Sequence, residues 1–309
     1  MKKFLRDILF GNIPVTEYST VTVKDGIMER VYLEAGGERI DISLTHWLLC
    51  LNPVVFGIWF PKQENTLSFN INPRYLMYFK DSAVDAETVA VLKLNYFNKI
   101  AEPDGTLLLL KLARASIHHI NFIRTRLIFY RYYKKPEQDF YKLKSFSAAY
   151  SYPRKVRLIS FMEGDWYNIF PMDLVGDIPG SKRYVFGLRH TNVTLARIIE
   201  TKKMVVSEIP YEYKEIIYSL GKHHHEPLSG TRLPFNLVQS SIYNFPIPEW
   251  AISYKEISIV NTMNLGSHML LWGMEINEKV LNEPSYNLFH IHFLHYLHLQ
   301  KKGQPYELI

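Results

Sequence analysis

The chain has 309 residues, 47% of them hydrophobic and 21% charged, with a single cysteine and a formal net charge of +6. That length accommodates two domains, and the apolar fraction excludes global disorder. One cysteine excludes a disulfide framework and fits a reduced, cytoplasmic compartment, while the positive balance favours anionic partners without choosing among nucleotides, phosphates and nucleic acid.

Met1 to Phe10 reads as a short amphipathic helix rather than a signal peptide, because Arg6 and Asp7 interrupt its apolar stretch. No uncharged run is long enough to span a bilayer, so no membrane partner is expected. Residues 18–80 read as strands. Thr20–Val23 precedes a turn at Asp25-Gly26, Val31–Glu34 and Arg39–Ile42 flank the hairpin signal Gly36-Gly37, and Pro53–Phe60 is a buried strand. Cys50 sits in the apolar run Trp47–Leu51 and reads as a small buried hydrophobe.

Asp85 to Ile100 reads as a helix capped by Asp85, and Pro103-Asp104-Gly105 breaks it. Thr106 to about Lys134 reads as a longer helix ended by Pro136. Its basic residues Lys111, Arg114, Arg124, Arg126 and Arg131 form a solvated face. The alternative is a nucleic-acid surface that adds Tyr130, Tyr132, Tyr133, Lys134 and Lys135.

From Tyr152 the texture turns strand-rich again. Val156–Ser160 and Trp166–Phe170 flank a turn at Gly164-Asp165, and Arg183–Gly187 and Met204–Ser207 are strands. Thr191–Thr201 is a helix capped by Thr191 or Asn192, and Tyr211–Leu220 is a helix stopped by Gly221. Lys222–Arg232 is an exposed loop, and Ile257–Val260 and Met269–Ile276 are strands. No Gly-x-Gly-x-x-Gly or P-loop occurs, which argues against a doubly wound nucleotide domain. The change of texture divides the chain into an N-terminal α+β domain, 1–145, and a second domain, 146–309, with a C-terminal helical extension.

Two segments carry chemistry. Gly187–Thr194 ends a strand at a helix start and offers Leu188, Arg189, His190, Thr191, Asn192 and Thr194, which suits a phosphate; simple helix capping explains the same residues. Asn168–Leu174 offers Phe170, Pro171 and Met172 as a wall for a planar ring. Asp173 is an unexplained charge there and is expected to turn away or pair with Arg189 or Lys182. The histidines His223–His225, His290, His292, His295 and His298 lack a matched carboxylate or cysteine set, so no metal site is expected.

Four motifs occur in order: Pro153-Arg154-Lys155-Val156, Asn168 with Pro171, Arg189–Thr194, and Gly266-Ser267-His268 with Gly273. Together, over about residues 147–280, they resemble the flavin reductase-like family of FMN-binding split β-barrels; Glu200–Val206 matches that family's helix end and following strand. The resemblance implies an α+β, mainly β fold with a split β-barrel in the C-terminal half. It implies non-covalent FMN binding by Asn168, Phe170, Pro171, Met172, Asp173, Leu174, Leu188, Arg189, His190, Thr191, Asn192 and Thr194. NAD(P)H becomes the co-substrate, hydride transfer at flavin N5 the chemistry, His268 the candidate catalytic side chain, a homodimer the assembly, and Lys222–Arg232 a lid. A non-catalytic carrier or sensor of FMN or haem is the alternative, and nucleic-acid binding the third reading.

Two departures stand out. Met172-Asp173-Leu174 replaces the Ser/Thr that many members carry, and Ser267 replaces the usual Asp before His268. In the first half, Thr45–Trp59 echoes Phe170–Leu188 through a shared Val-Phe-Gly-hydrophobic core, which sequence alone does not raise above coincidence.

Overall fold

A computed structural model describes residues 19–23, 29–62, 74–80, 87–118, 120–123, 125–127, 140–230, 233–292, 294–295 and 306–308. The chain enters through β1 (Ser19–Val23) and then builds a first sheet. Its strands are β2 (Arg30–Ala35), β3 (Glu38–Asp41), β4 (His46–Leu51), β5 (Val54–Pro61), β6 (Tyr75–Lys80), β7 (Thr88–Glu102) and β8 (Gly105–Ile117). Helix α1 (Phe140–Ala149) and β9 (Arg154–Lys155) lead to a second sheet. That sheet holds β10 (Arg157–Glu163), β11 (Trp166–Met172), β12 (Val175–Asp177), β13 (Arg183–Arg189) and β14 (Lys203–Glu208). A small hairpin follows, β15 (Leu237–Gln239) with β16 (Pro246–Pro248), and then β17 (Ser253–Asn264) and β18 (His268–Val280) complete the second sheet. Helices α2 (Leu195–Thr201) and α3 (Lys214–Ser219) lie in its connections. Toward the C-terminus β19 (Leu288–Ile291) and β20 (Tyr306–Leu308) sandwich β1, and Leu294 and His295 between them are helical; 293 and 296–305, where most of the expected helical extension falls, lie outside the described residues. The class is α+β and mainly β.

The two seven-stranded sheets have one topology. The first runs β3-β2-β6-β7-β8-β5-β4 and the second β11-β10-β14-β17-β18-β13-β12, so strands of equal rank in the chain hold equal places. Every neighbouring pair in both is antiparallel. The Val-Phe-Gly echo falls on equivalent strands, β5 and β13.

The sheets meet through β4, which crosses β12, β13 and β18. Gly187 is required there, since a Cβ on it would lie 2.0 Å from the Leu49 carbonyl oxygen. Gly176 likewise leaves room for the Trp47 ring. Trp47, Leu49, Cys50, Val55 and Trp59 of the first sheet share one apolar cluster with Val185, Leu270 and Trp272 of the second. The Trp59 and Trp272 ring centroids are 6.1 Å apart.

One expected helix, and the first part of another, are strands. The described part of the expected Asp85–Ile100 helix lies in β7 from Thr88 on, and the start of the longer helix forms β8. Alternate leucines of the run Leu107–Leu110 enter two different apolar clusters, Leu108 and Leu110 one and Leu107 and Leu109 the other. A strand buried on both faces loses the period of two that distinguishes it from a helix. Lys111 and Arg114 therefore lie on a strand, whereas 122–123 and 125–127, with Arg126, are helical as expected; Arg124 and 128–139 lie outside the described residues. So do Met1–Phe10 and the Asp25-Gly26 turn. Helix α2 starts at Leu195, later than expected, and the α3 segment continues past Gly221 as a 3-10 turn to His224.

Candidate functional site

The candidate residues gather where β11 and β13 end and β18 begins. Antiparallel register sets Arg189 directly opposite His268. Arg189, His190 and Thr191 are exposed. Among the described residues no carboxylate forms an ion pair with Arg189.

The expected phosphate turn is only partly available. Asn192 and Thr194 are buried and turned inward. Asn192 Oδ1 accepts the Thr194 N–H at 2.8 Å, and Thr194 Oγ1 accepts from Asn168 Nδ2 at 2.9 Å. The backbone N–H groups of His190, Asn192, Val193 and Leu195 donate to Ser267, Arg189, His224 and Asn192 carbonyls. With those donors spent on the turn itself, and α2 only seven residues long, an anion here meets the side chains of Arg189, His190 and Thr191 rather than a helix N-terminus.

Asn168 is also internal. Its Nδ2 donates to the His223 carbonyl at 2.7 Å, which ties β11 to the turn before it leaves for solvent. Phe170, Met172, Leu174 and Leu188 lie in the core. At the edge of β11, the half-buried Pro171 keeps its carbonyl toward His224, whose Nε2 lies 2.8 Å away.

His224 was one of three consecutive histidines, and it alone bridges the two candidate segments. Asn192 Oδ1 is occupied, so Asn192 Nδ2 is the donor to His224 Nδ1 at 2.9 Å. The imidazole therefore carries its proton on Nε2 and donates it to Pro171. Burial lowers its pKa to about 4, so it is neutral at pH 7. Sequence could not single it out, because consecutive histidines diverge. Within the expected Lys222–Arg232 loop, Lys222, His225, Glu226 and Pro227 are exposed, while His223 and Leu228 are buried and the Ser229 hydroxyl bonds the Tyr167 backbone; 231–232 lie outside the described residues.

His268 is 1% exposed. The Ser267 hydroxyl accepts the Asn52 N–H at 3.0 Å and shares a hydrogen bond with His268 Nδ1 at 2.8 Å. His268 Nε2, at the other side of the ring, is buried with no hydrogen-bond partner among the described residues. Burial, followed by the charge of Arg189, lowers the His268 pKa to about 4. Ser267 thus meets Nδ1 through a hydroxyl that a turn of the first sheet holds in place.

Asp173 pairs with neither Arg189 nor Lys182. Its Oδ2 lies 2.9 Å from His290 Nδ1 on β19. Burial alone would raise its pKa, but the His290 hydrogen bond and the Arg154 charge outweigh it and hold the carboxyl below its usual range. Arg154 is buried, bonds the Ala149 carbonyl at 2.6 Å and lies over the Tyr150 ring. No group of three or more potential metal ligands occurs among the described residues.

No helix among the described residues is long and apolar enough to cross a membrane. No protein-family model matches the chain, and no curated protein matches it. Solved structures do. An FMN-binding protein from Thermus thermophilus is 16% identical, with a TM-score of 0.39 over 45% of this chain and 81% of that one. A nitrilotriacetate monooxygenase component B homologue from Mycobacterium thermoresistibile is 11% identical, with a TM-score of 0.42 over 53% and 84%. The styrene monooxygenase flavin reductase from Pseudomonas putida is 13% identical, with a TM-score of 0.40 over 46% and 90%. The solved structures similar to this chain are thus flavin reductases and FMN-binding proteins.

Proposed function

We propose that this end of the second sheet binds FMN non-covalently and that the chain is a flavin reductase-like oxidoreductase using NAD(P)H. The observation that carries the reading is His268 Nε2, buried without a hydrogen-bond partner among the described residues and on the residue opposite the exposed Arg189. A buried polar group left unmet costs roughly 1–3 kcal/mol, which a ligand partner offsets. With the Ser267 hydroxyl donating to Nδ1, the set suits FMN at both ends: one N–H for a carbonyl or ring nitrogen, and Arg189, His190 and Thr191 for a phosphate.

Bound FMN would supply hydride acceptance and return at its N5. The protein's part is to bind, orient and exclude water. Arg189 neutralises the anion, His268 donates one directed hydrogen bond, and His224 fixes Pro171 against the Asn192 turn. His224 and His268 are neutral at pH 7, so these two offer positioning rather than an acid.

An absorbance spectrum of the purified protein, followed by FMN titration and NAD(P)H oxidation assays, tests this. Flavin absorbance and turnover are expected. A colourless protein that does not bind added FMN rejects the reading. Binding without turnover favours a carrier or sensor.

A further inference from the structure

The two sheets share their strand order, and their equivalent strands can be aligned residue by residue through the register. On β5 and β8, Phe56 faces Leu110, Gly57 faces Leu109 and Ile58 faces Leu108. On β13 and β18, Phe186 faces Leu271, Gly187 faces Leu270 and Leu188 faces Met269. One step further, the pair Trp59–Leu107 stands where Arg189–His268 stands. The polar pair of the second sheet is thus an aromatic–aliphatic pair in the first. Trp59 and Leu107 are 3% and 0% exposed and belong to the cluster between the sheets.

The connections differ as well. Between β14 and β17 the chain inserts 209–252, which includes His224; between β6 and β7 it has only 81–87. Asn52, in the β4–β5 turn, exchanges two hydrogen bonds with Ser267: its N–H donates to the hydroxyl and its carbonyl accepts the Ser267 N–H at 2.7 Å.

We infer that the chain is an internal pair of one sheet module, in which the first copy has lost its own ligand position and instead completes the position of the second. The site is therefore whole within one polypeptide and takes one ligand per chain. The ligand's identity rests on the FMN reading above; the internal pairing does not.

Cys50 supplies the test. It is the single cysteine, and its Sγ lies 3.5 Å from Ser267 Oγ across the two copies. In Ser267→Cys, oxidation with diamide should join the two sulfurs within one chain, giving a monomer on non-reducing electrophoresis with no free thiol. A covalent dimer would show that the copies pair between chains and would overturn the inference, as would two thiols that stay free in the folded variant. Light scattering on the unmodified protein covers the case in which the variant fails to fold: the mass of one chain is expected, and an obligate dimer overturns the pairing. FMN titration should give one equivalent per chain; two, or one for every two chains, overturns the single site. A monomer that binds no FMN rejects the flavin reading while leaving the pairing supported.

Discussion

The Asn52 N–H donates to the Ser267 hydroxyl at 3.0 Å, across 215 residues of sequence. Through that contact a turn of the first sheet holds the hydroxyl that meets His268 Nδ1 at 2.8 Å, and we expect that hydroxyl to donate to Nδ1. Ser267→Ala removes both the acceptor for Asn52 and the donor to Nδ1. We expect a loss of roughly 1–2 kcal/mol in denaturant stability and about tenfold weaker FMN binding. Histidine 15N NMR should show the His268 tautomer preference weakened, and an unchanged spectrum would reject the relay.

Arg189→Ala should weaken FMN binding by about tenfold or more, while riboflavin, which lacks the phosphate, binds as before. Parallel titrations of the two flavins separate a phosphate contact from a general loss of the site. Equal losses for both would reject Arg189 as the phosphate anchor.

Acid should destabilise the protein in a defined window. His224 and His268 have folded pKa values of about 4 against 6.5 unfolded, so between those values the unfolded chain binds more protons. Their contribution is complete above pH 6.5 and is lost as pH falls toward 4, on the order of 2–3 kcal/mol each. Glu208, held at about 2 despite burial by Arg157 and Lys155, adds a further loss below pH 4.5. Urea midpoints should be nearly flat from pH 7 to 8 and fall steadily below 6.5, and His268→Gln should shrink that fall.

Gly187→Ala should be severe. Its Cβ would meet Leu49 backbone atoms, with the carbonyl oxygen at 2.0 Å, so β4 and β13 must part. A loss of about 3 kcal/mol or more in thermal or urea unfolding is expected. Gly221→Ala, with nothing within 4 Å of the added carbon, should stay within about 1 kcal/mol of the parent.

Much of the strand pattern was legible because it is local. Gly36 and Gly37 have positive φ and turn β2 into β3, and Gly164 does the same between β10 and β11. β7 was legible in principle: Leu92, Lys93, Leu94 and Asn95 alternate between buried and exposed. Its leucine and lysine content also suits a helix, and pairing with β6 and β8 decided the outcome.

By itself the sequence determined which residues were available: the Arg189–Thr194 turn, the Asn168–Leu174 strand end, and His268 after a serine. It also carried the Val-Phe-Gly echo, which only the matching strand orders turned into a duplication. Tertiary structure alone decided that Asp173 meets His290, that His224 bridges Pro171 and Asn192, that Asn192 and Thr194 face inward, and that Asn52 completes the environment of His268. Each of those contacts joins residues brought together by sheet register and sheet-on-sheet packing, and a one-residue slip in register sends a side chain to the opposite face.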